Sequence, residues 1–224
     1  MSRDPSVLPV AAFELRRALA RPHSRMALLL FAGITALGHF EYWRGEGAPR
    51  LFIEASCIAL IGILSYGLAE DRRRHFDRYL LRNHLDARTY LVAKAVAIVG
   101  LVLIGGVVAL ALKVAYSGGN FAEAAWFTVL AVSIGLMVAP VAMALEGYVD
   151  TSMPAAFVIL GVPLVFGLIY MATQSMAPFE WLGFTVIEEG SWASLRPLVT
   201  RTAIGIIPAF VLAGALIQLR LRRY

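Results

Sequence analysis

Six long apolar stretches divide the sequence, and they constrain its fold more than any other feature. A helix of roughly 20 apolar residues crosses a bilayer core about 30 Å thick. Because 59% of the 224 residues are hydrophobic and the mean hydropathy is +0.73, the composition also favours a membrane protein. We therefore predict an all-α polytopic fold with six transmembrane helices in a single domain. The predicted spans are about 26–42, 51–69, 90–112, 122–145, 154–173 and 202–219.

Three further segments accompany the predicted spans. Residues 9–21 predict a cytoplasmic interfacial helix with an apolar stripe, a basic face and Pro9 at its first position; the alternative is a disordered basic tail. Residues 71–82 predict a short basic amphipathic helix. Residues 174–201 are aromatic but interrupted, which favours a re-entrant hairpin of two short helices over a folded external loop. The stripe of the interfacial helix comprises Leu8, Ala11, Ala12, Leu15, Ala18 and Leu19.

The distribution of basic residues predicts the orientation of the spans. The N-terminal segment holds five Lys and Arg, residues 70–94 hold seven and the C-terminal segment three, against five on the opposite side. Such residues concentrate on the cytoplasmic side of a membrane, so both termini and the 71–82 helix are predicted to be cytoplasmic. The same flanks explain a pI near 9.7 without nucleic-acid binding.

The residues needed for several kinds of chemistry are missing from the sequence. A Walker A loop needs a Lys followed by Ser or Thr, but Lys94 precedes Ala and Lys113 precedes Val. Cys57 is the single cysteine, and the four histidines show no paired metal-ligand spacing. We therefore expect no catalytic, cofactor or metal site in this chain.

Glu54 is the one acid placed at membrane depth, which makes it a candidate intramembrane functional acid. The alternative is an ordinary surface pair with Arg50, four residues earlier. His39 and Glu41 lie near the same membrane boundary. A membrane enzyme or haem-maturation factor using these three residues is therefore an alternative function, and a non-transporting scaffold is another.

Residues 70–94 and the order of elements resemble the membrane subunits of type-2 ABC exporters. The Gly and Pro that usually flank the leucine pair in that family are absent here, with Tyr79 and Asn83 in their neighbourhood. The matching features are Glu70, Leu80-Leu81, Asn83-His84, Arg88-Thr89-Tyr90 and a Lys, Lys94, that opens span 3.

The resemblance implies a permease of a bacterial inner membrane that pairs with a second permease, either another copy or a sister subunit. It also implies that the 71–82 helix couples to a separate ATP-binding subunit, which would hold ATP and Mg. The sparsely charged spans favour an apolar or amphiphilic substrate. The alternative for the 71–82 helix is a lipid-bound loop that only fixes topology. The implied coupling residues are Arg72, Arg73, Phe76, Arg78, Tyr79, Leu81 and Arg82.

Overall fold

All regular structure in the described part of the chain is helical, which confirms the predicted all-α class there. The computed structural model describes residues 7–37, 86–116, 121–148, 172–173 and 192–221. The predicted span 2 and the 71–82 helix lie outside these ranges, as does predicted span 5 apart from residues 172 and 173. The helices are α1 (Val7–Ala20), α2 (Pro22–Leu37), α3 (Ala87–Tyr116), α4 (Phe121–Tyr148) and α5 (Trp192–Leu221).

Three of the described helices are long and apolar enough to cross a membrane. The qualifying stretches are Ala87–Ala115 in α3, Ala124–Ala144 in α4 and Trp192–Leu219 in α5. These three helices contain the predicted spans 3, 4 and 6. α2 holds a shorter apolar stretch, Ser24–Gly33. By length and composition, these are the helices of a membrane protein.

The outward surfaces of the long helices are apolar. One face of α3 exposes Val92, Val96, Leu103 and Val107, which recur at helical spacing. In water such a surface would be an extended apolar patch, so a hydrocarbon environment explains it better. The buried polar side chains of the described residues are Glu14, Ser24, Lys94, Lys113, Ser133 and Thr202. Three charged side chains, Glu14, Lys94 and Lys113, therefore lie inside the described bundle, while much of the outward surface of the long helices is apolar.

α3 packs against α1, α2 and α4, and two adjacent glycines allow the close approach of α2 and α4. A Cβ at Gly105 would lie 2.7 Å from Cδ1 of Phe31 on α2. A Cβ at Gly106 would lie 2.5 Å from Cγ2 of Val132 on α4. Since real Cβ contacts are never this short, both positions need a residue without a side chain.

α4 runs antiparallel to α3 and parallel to α5. Leu195 and Leu198, near the start of α5, belong to the same buried cluster as Trp126 near the start of α4. Ile217, near the end of α5, belongs to a second cluster with Met143 near the end of α4. Residues 148 and 192 therefore lie at opposite ends of the bundle.

The predicted external hairpin needs a correction in its second half. Residues 192–201 are not a separate short helix, because α5 runs without interruption from Trp192 through Pro197 into predicted span 6. A proline inside a helix removes one backbone hydrogen bond and is normally destabilising. Here Leu195 and Leu198, on either side of Pro197, are both almost completely buried, so packing holds the helix together across the proline.

The N-terminal helix also differs from its prediction. It begins at Val7, which makes Pro9 its third residue; the first four N–H groups of a helix have no intrahelical acceptor, so proline is tolerated there. Leu8 and Ala12 of the predicted stripe are exposed, whereas Ala11 of that stripe is buried together with Glu14, which the stripe did not include. α2 starts at Pro22, four residues before the predicted start of span 1.

Replacing Gly106 by Ala is expected to lower stability by about 1–3 kcal/mol, because overpacking displaces neighbouring side chains. Val132, the residue it would meet, is stiff at χ1. Thermal unfolding of the detergent-solubilised protein measures the effect. Adding Val132→Ala to Gly106→Ala should recover part of the loss, since this removes the clashing methyl group.

Gly214→Ala in α5 is the matched control for Gly106→Ala. Nothing lies within 4 Å of a Cβ added at Gly214, and Ala is the better helix former, so its Tm should stay the same or rise slightly. Equal Tm values for the two variants would contradict the close approach of α3 and α4.

Candidate functional site

A buried ion pair joins α1 to α3. The ammonium group of Lys94 donates a hydrogen bond to Oε2 of Glu14, although the two residues are 80 positions apart in the sequence. Both residues are only 5% exposed. Charged side chains are rarely buried to this degree unless they are paired, and in membrane proteins such residues commonly have a function.

Two further side chains complete the surroundings of this pair. Nη1 of Arg17, one turn further along α1, lies 3.5 Å from Oε1 of Glu14. Nζ of Lys94 lies 5.5 Å from the centroid of the Tyr90 ring, one turn earlier on α3. Glu14 is thus placed between two cations, and Lys94 between a carboxylate and an aromatic face. We call these four residues the inner cluster.

The helical repeat explains how the inner cluster is assembled. Glu14 follows Ala11 by three residues, so both lie on the side of α1 that faces α3. Tyr90 and Lys94 are four residues apart, so both lie on the side of α3 that faces α1. The N–H of Tyr90 donates to the backbone carbonyl of Asp86, the residue immediately before α3.

Lys113, the second lysine, is buried at the other end of α3. It is 1% exposed, and its Nζ lies 3.6 Å from the centroid of the Phe127 ring on α4. The ring of Trp126 meets the ring of Phe127 edge-on, with centroids 4.9 Å apart. A cation over an aromatic face is attracted by the ring quadrupole, and more strongly where water is excluded.

The two lysines mark the ends of an uncharged segment of α3. They are 19 positions apart, and residues 95–112 between them carry no charge. At 1.5 Å per residue this separation is about 28 Å along the helix axis. Since a bilayer core is about 30 Å thick, the lysines lie near its two boundaries if α3 crosses upright.

The predicted site residues cannot be placed beside this cluster. The seven implied coupling residues, Arg72, Arg73, Phe76, Arg78, Tyr79, Leu81 and Arg82, all lie outside the described residues. Glu54, His39 and Glu41 lie outside them too. Within the described ranges, no group of three or more His, Cys, Asp or Glu side chains could hold a metal ion.

Sequence reasoning missed the inner cluster because it treated α1 as a helix facing lipid. A signal was present: Glu14 lies between Ala11 and Ala18 on the apolar stripe, where a carboxylate needs a cation. The identity of that cation was not readable, because periodicity describes one helix and not the residue opposite it. The comparisons add no family: no family model matches the chain, and no curated protein matches it.

Replacing Glu14 by Leu is expected to destabilise the protein by roughly 3 kcal/mol, because it leaves a buried ammonium group without its carboxylate. Replacing Lys94 by Met should cost less, since Arg17 remains next to Glu14. The double variant Glu14→Leu/Lys94→Met should recover most of the loss, because an apolar pair can replace a buried ion pair. Chemical unfolding in detergent measures all three.

Arg16→Leu is the control for these variants, because Arg16 is exposed on the same helix. Its unfolding should match that of the unmodified protein. A Glu14→Leu variant as stable as Arg16→Leu would contradict the buried pair.

Replacing Phe127 by Leu should cost about 1–2 kcal/mol more than replacing Phe121 by Leu, because it removes the ring facing Lys113. Phe121 belongs to the same helix but is 62% exposed. Thermal unfolding compares the two. In a Lys113→Met background the difference should shrink, and an undiminished difference would mean that packing alone accounts for it.

Proposed function

We propose that this chain is the membrane subunit of an ATP-driven exporter for an apolar or amphiphilic substrate. In this proposal a separate ATP-binding subunit holds ATP and Mg and docks on the 71–82 helix. The membrane subunit contributes no catalytic residue and pairs with a second permease, because six spans form half of such a transporter. It resides in a bacterial inner membrane with both termini in the cytoplasm.

The position of α3 is the observation that supports this proposal most. Only residues 83–86 separate the 71–82 segment from Ala87, where α3 begins. α3 packs against α1, α2 and α4, so it contacts most of the described bundle. A force applied to the 71–82 segment would therefore pass through four residues into the helix with the most helical neighbours.

The directions of the helices agree with the proposed topology. In a six-span chain with cytoplasmic termini, span 3 runs outward and spans 4 and 6 run inward. α3 is antiparallel to α4, and α4 is parallel to α5, as that order requires. The opposite positions of residues 148 and 192 are compatible with one crossing by the predicted span at 154–173.

The described basic residues are compatible with the same orientation. Arg88 and Lys94 lie near the start of α3, the end proposed to be cytoplasmic. Lys113 lies at the opposite end of α3, and Arg196 and Arg201 lie in the first ten residues of α5, which is at that same end. This is the separation that the basic-residue count predicts.

The docking proposal predicts co-purification of an ATP-binding subunit in stoichiometric amount when the chain is isolated in mild detergent from its native host. Phe76→Asp together with Tyr79→Asp should abolish this association, because it places two carboxylates among the proposed apolar anchors. Affinity purification followed by mass spectrometry and an ATP hydrolysis assay measures both outcomes.

Phe121→Asp is the control for the docking experiment. Phe121 is an exposed aromatic residue at the end of the bundle opposite Lys94, so its replacement should leave the partner bound. A stable chain that purifies without an ATP-binding partner would contradict the proposal.

A further inference from the structure

α1 is fixed to α3 at two levels. Glu14 pairs with Lys94, and the Cδ2 atom of Leu15 lies 3.6 Å from the position of a Cβ on Gly100. Lys94 and Gly100 are six residues apart, which is about 9 Å along the axis of α3. Because Glu14 and Leu15 are consecutive residues, one turn of α1 contacts α3 at both levels, by an ion pair and by apolar packing.

α1 is also connected to α3 through α2. A single residue, Arg21, separates α1 from α2, and its N–H donates to the carbonyl of Ala18 at 3.1 Å while its carbonyl accepts from the N–H of Arg25 at 3.2 Å. α2 in turn packs on α3, where Phe31 covers Gly105. Each of the three helices α1, α2 and α3 therefore contacts the other two.

Separating α1 from α3 would be unfavourable for an electrostatic reason. Glu14 and Lys94 are both buried, so opening the gap would leave two charges at an apolar boundary without each other. Arg17 would stay with Glu14, because both belong to α1, and Lys94 would leave with α3. Opening would therefore leave a net positive charge on the α3 side of the gap, from Lys94, and a Glu14–Arg17 pair without net charge on the α1 side.

We propose that α1 and α3 move as one unit when the transporter changes conformation, and that Glu14 and Lys94 are the positioning residues that hold this unit together. The inference rests on the proposed function, in which the 71–82 segment drives α3. Movement of α3 then carries α1 with it, and the exposed outer face of α1 shifts at the cytoplasmic membrane surface in step with ATP hydrolysis.

A reversible cross-link tests whether the two helices separate. In a Cys57→Ser background, Leu15→Cys and Gly100→Cys are joined by a short thiol reagent with a cleavable bridge, and the complex with its ATP-binding subunit is placed in vesicles. Gly100 accepts a Cβ at an ordinary contact distance, so the fold should tolerate the change. The ATP hydrolysis rate should remain within about twofold of the unlinked complex. A tenfold loss that cleavage of the bridge restores would overturn the proposal.

A second experiment tests the positioning role of the pair. The readout is the ratio between ATP hydrolysis by the membrane-bound complex and hydrolysis by the isolated ATP-binding subunit. Glu14→Leu should reduce this ratio several-fold in protein that is still folded and still partner-bound, and Glu14→Leu/Lys94→Met should restore it. An unchanged ratio for folded Glu14→Leu would overturn the positioning role.

These outcomes separate the two proposals. If the Cys57→Ser complex purifies with an ATP-binding subunit and hydrolyses ATP, the proposed function stands, and only the cross-link and the Glu14 variants decide the inference. If no such subunit binds the Cys57→Ser protein or the unmodified protein, the proposed function fails first, and the inference fails with it.

Discussion

The packing of α3 against three other helices is the interaction on which the rest of the described structure depends. Lipid tails are as apolar as the helices, so burial of apolar surface gives membrane spans little reason to associate. Close approach and polar contact must supply that reason. The adjacent residues Gly105 and Gly106 admit α2 and α4 on different faces of α3, and Gly100 faces Leu15 of α1. Without Gly105 and Gly106, α2 and α4 would be held at a greater distance from α3.

The two lysines of α3 are accommodated by different physical means. Lys94 is paired with a carboxylate from α1, whereas Lys113 lies over an aromatic ring of α4, whose quadrupole attracts the cation. A lysine near the end of a lone helix would extend towards the headgroups. Here both side chains turn inward, so each contributes to helix association where apolar burial cannot.

How far the sequence predicted the structure depends on the range of the interaction. Long uncharged runs define helices locally, which is why the all-α class was predicted correctly and α3 and α4 lie close to the expected bounds. The predicted start of span 6, at about residue 202, is too late, because Pro197 normally interrupts a helix but the packing of Leu195 and Leu198 against α4 outweighs its cost. The pairing of Glu14 with Lys94 is a contact between distant parts of the chain, and no periodicity within one helix contains it.

The buried pair has a consequence for how the chain is made. Lys94 is synthesised 80 residues after Glu14, which at 5–20 residues per second is roughly 4 to 16 s later. During this interval the carboxylate of Glu14 has no lysine to pair with, and water or lipid headgroups can solvate it where hydrocarbon cannot. α1 must therefore wait at the membrane surface until the third predicted span has been inserted. Docking of α1 on α3 is therefore a late step of assembly, because it must follow the synthesis of α3.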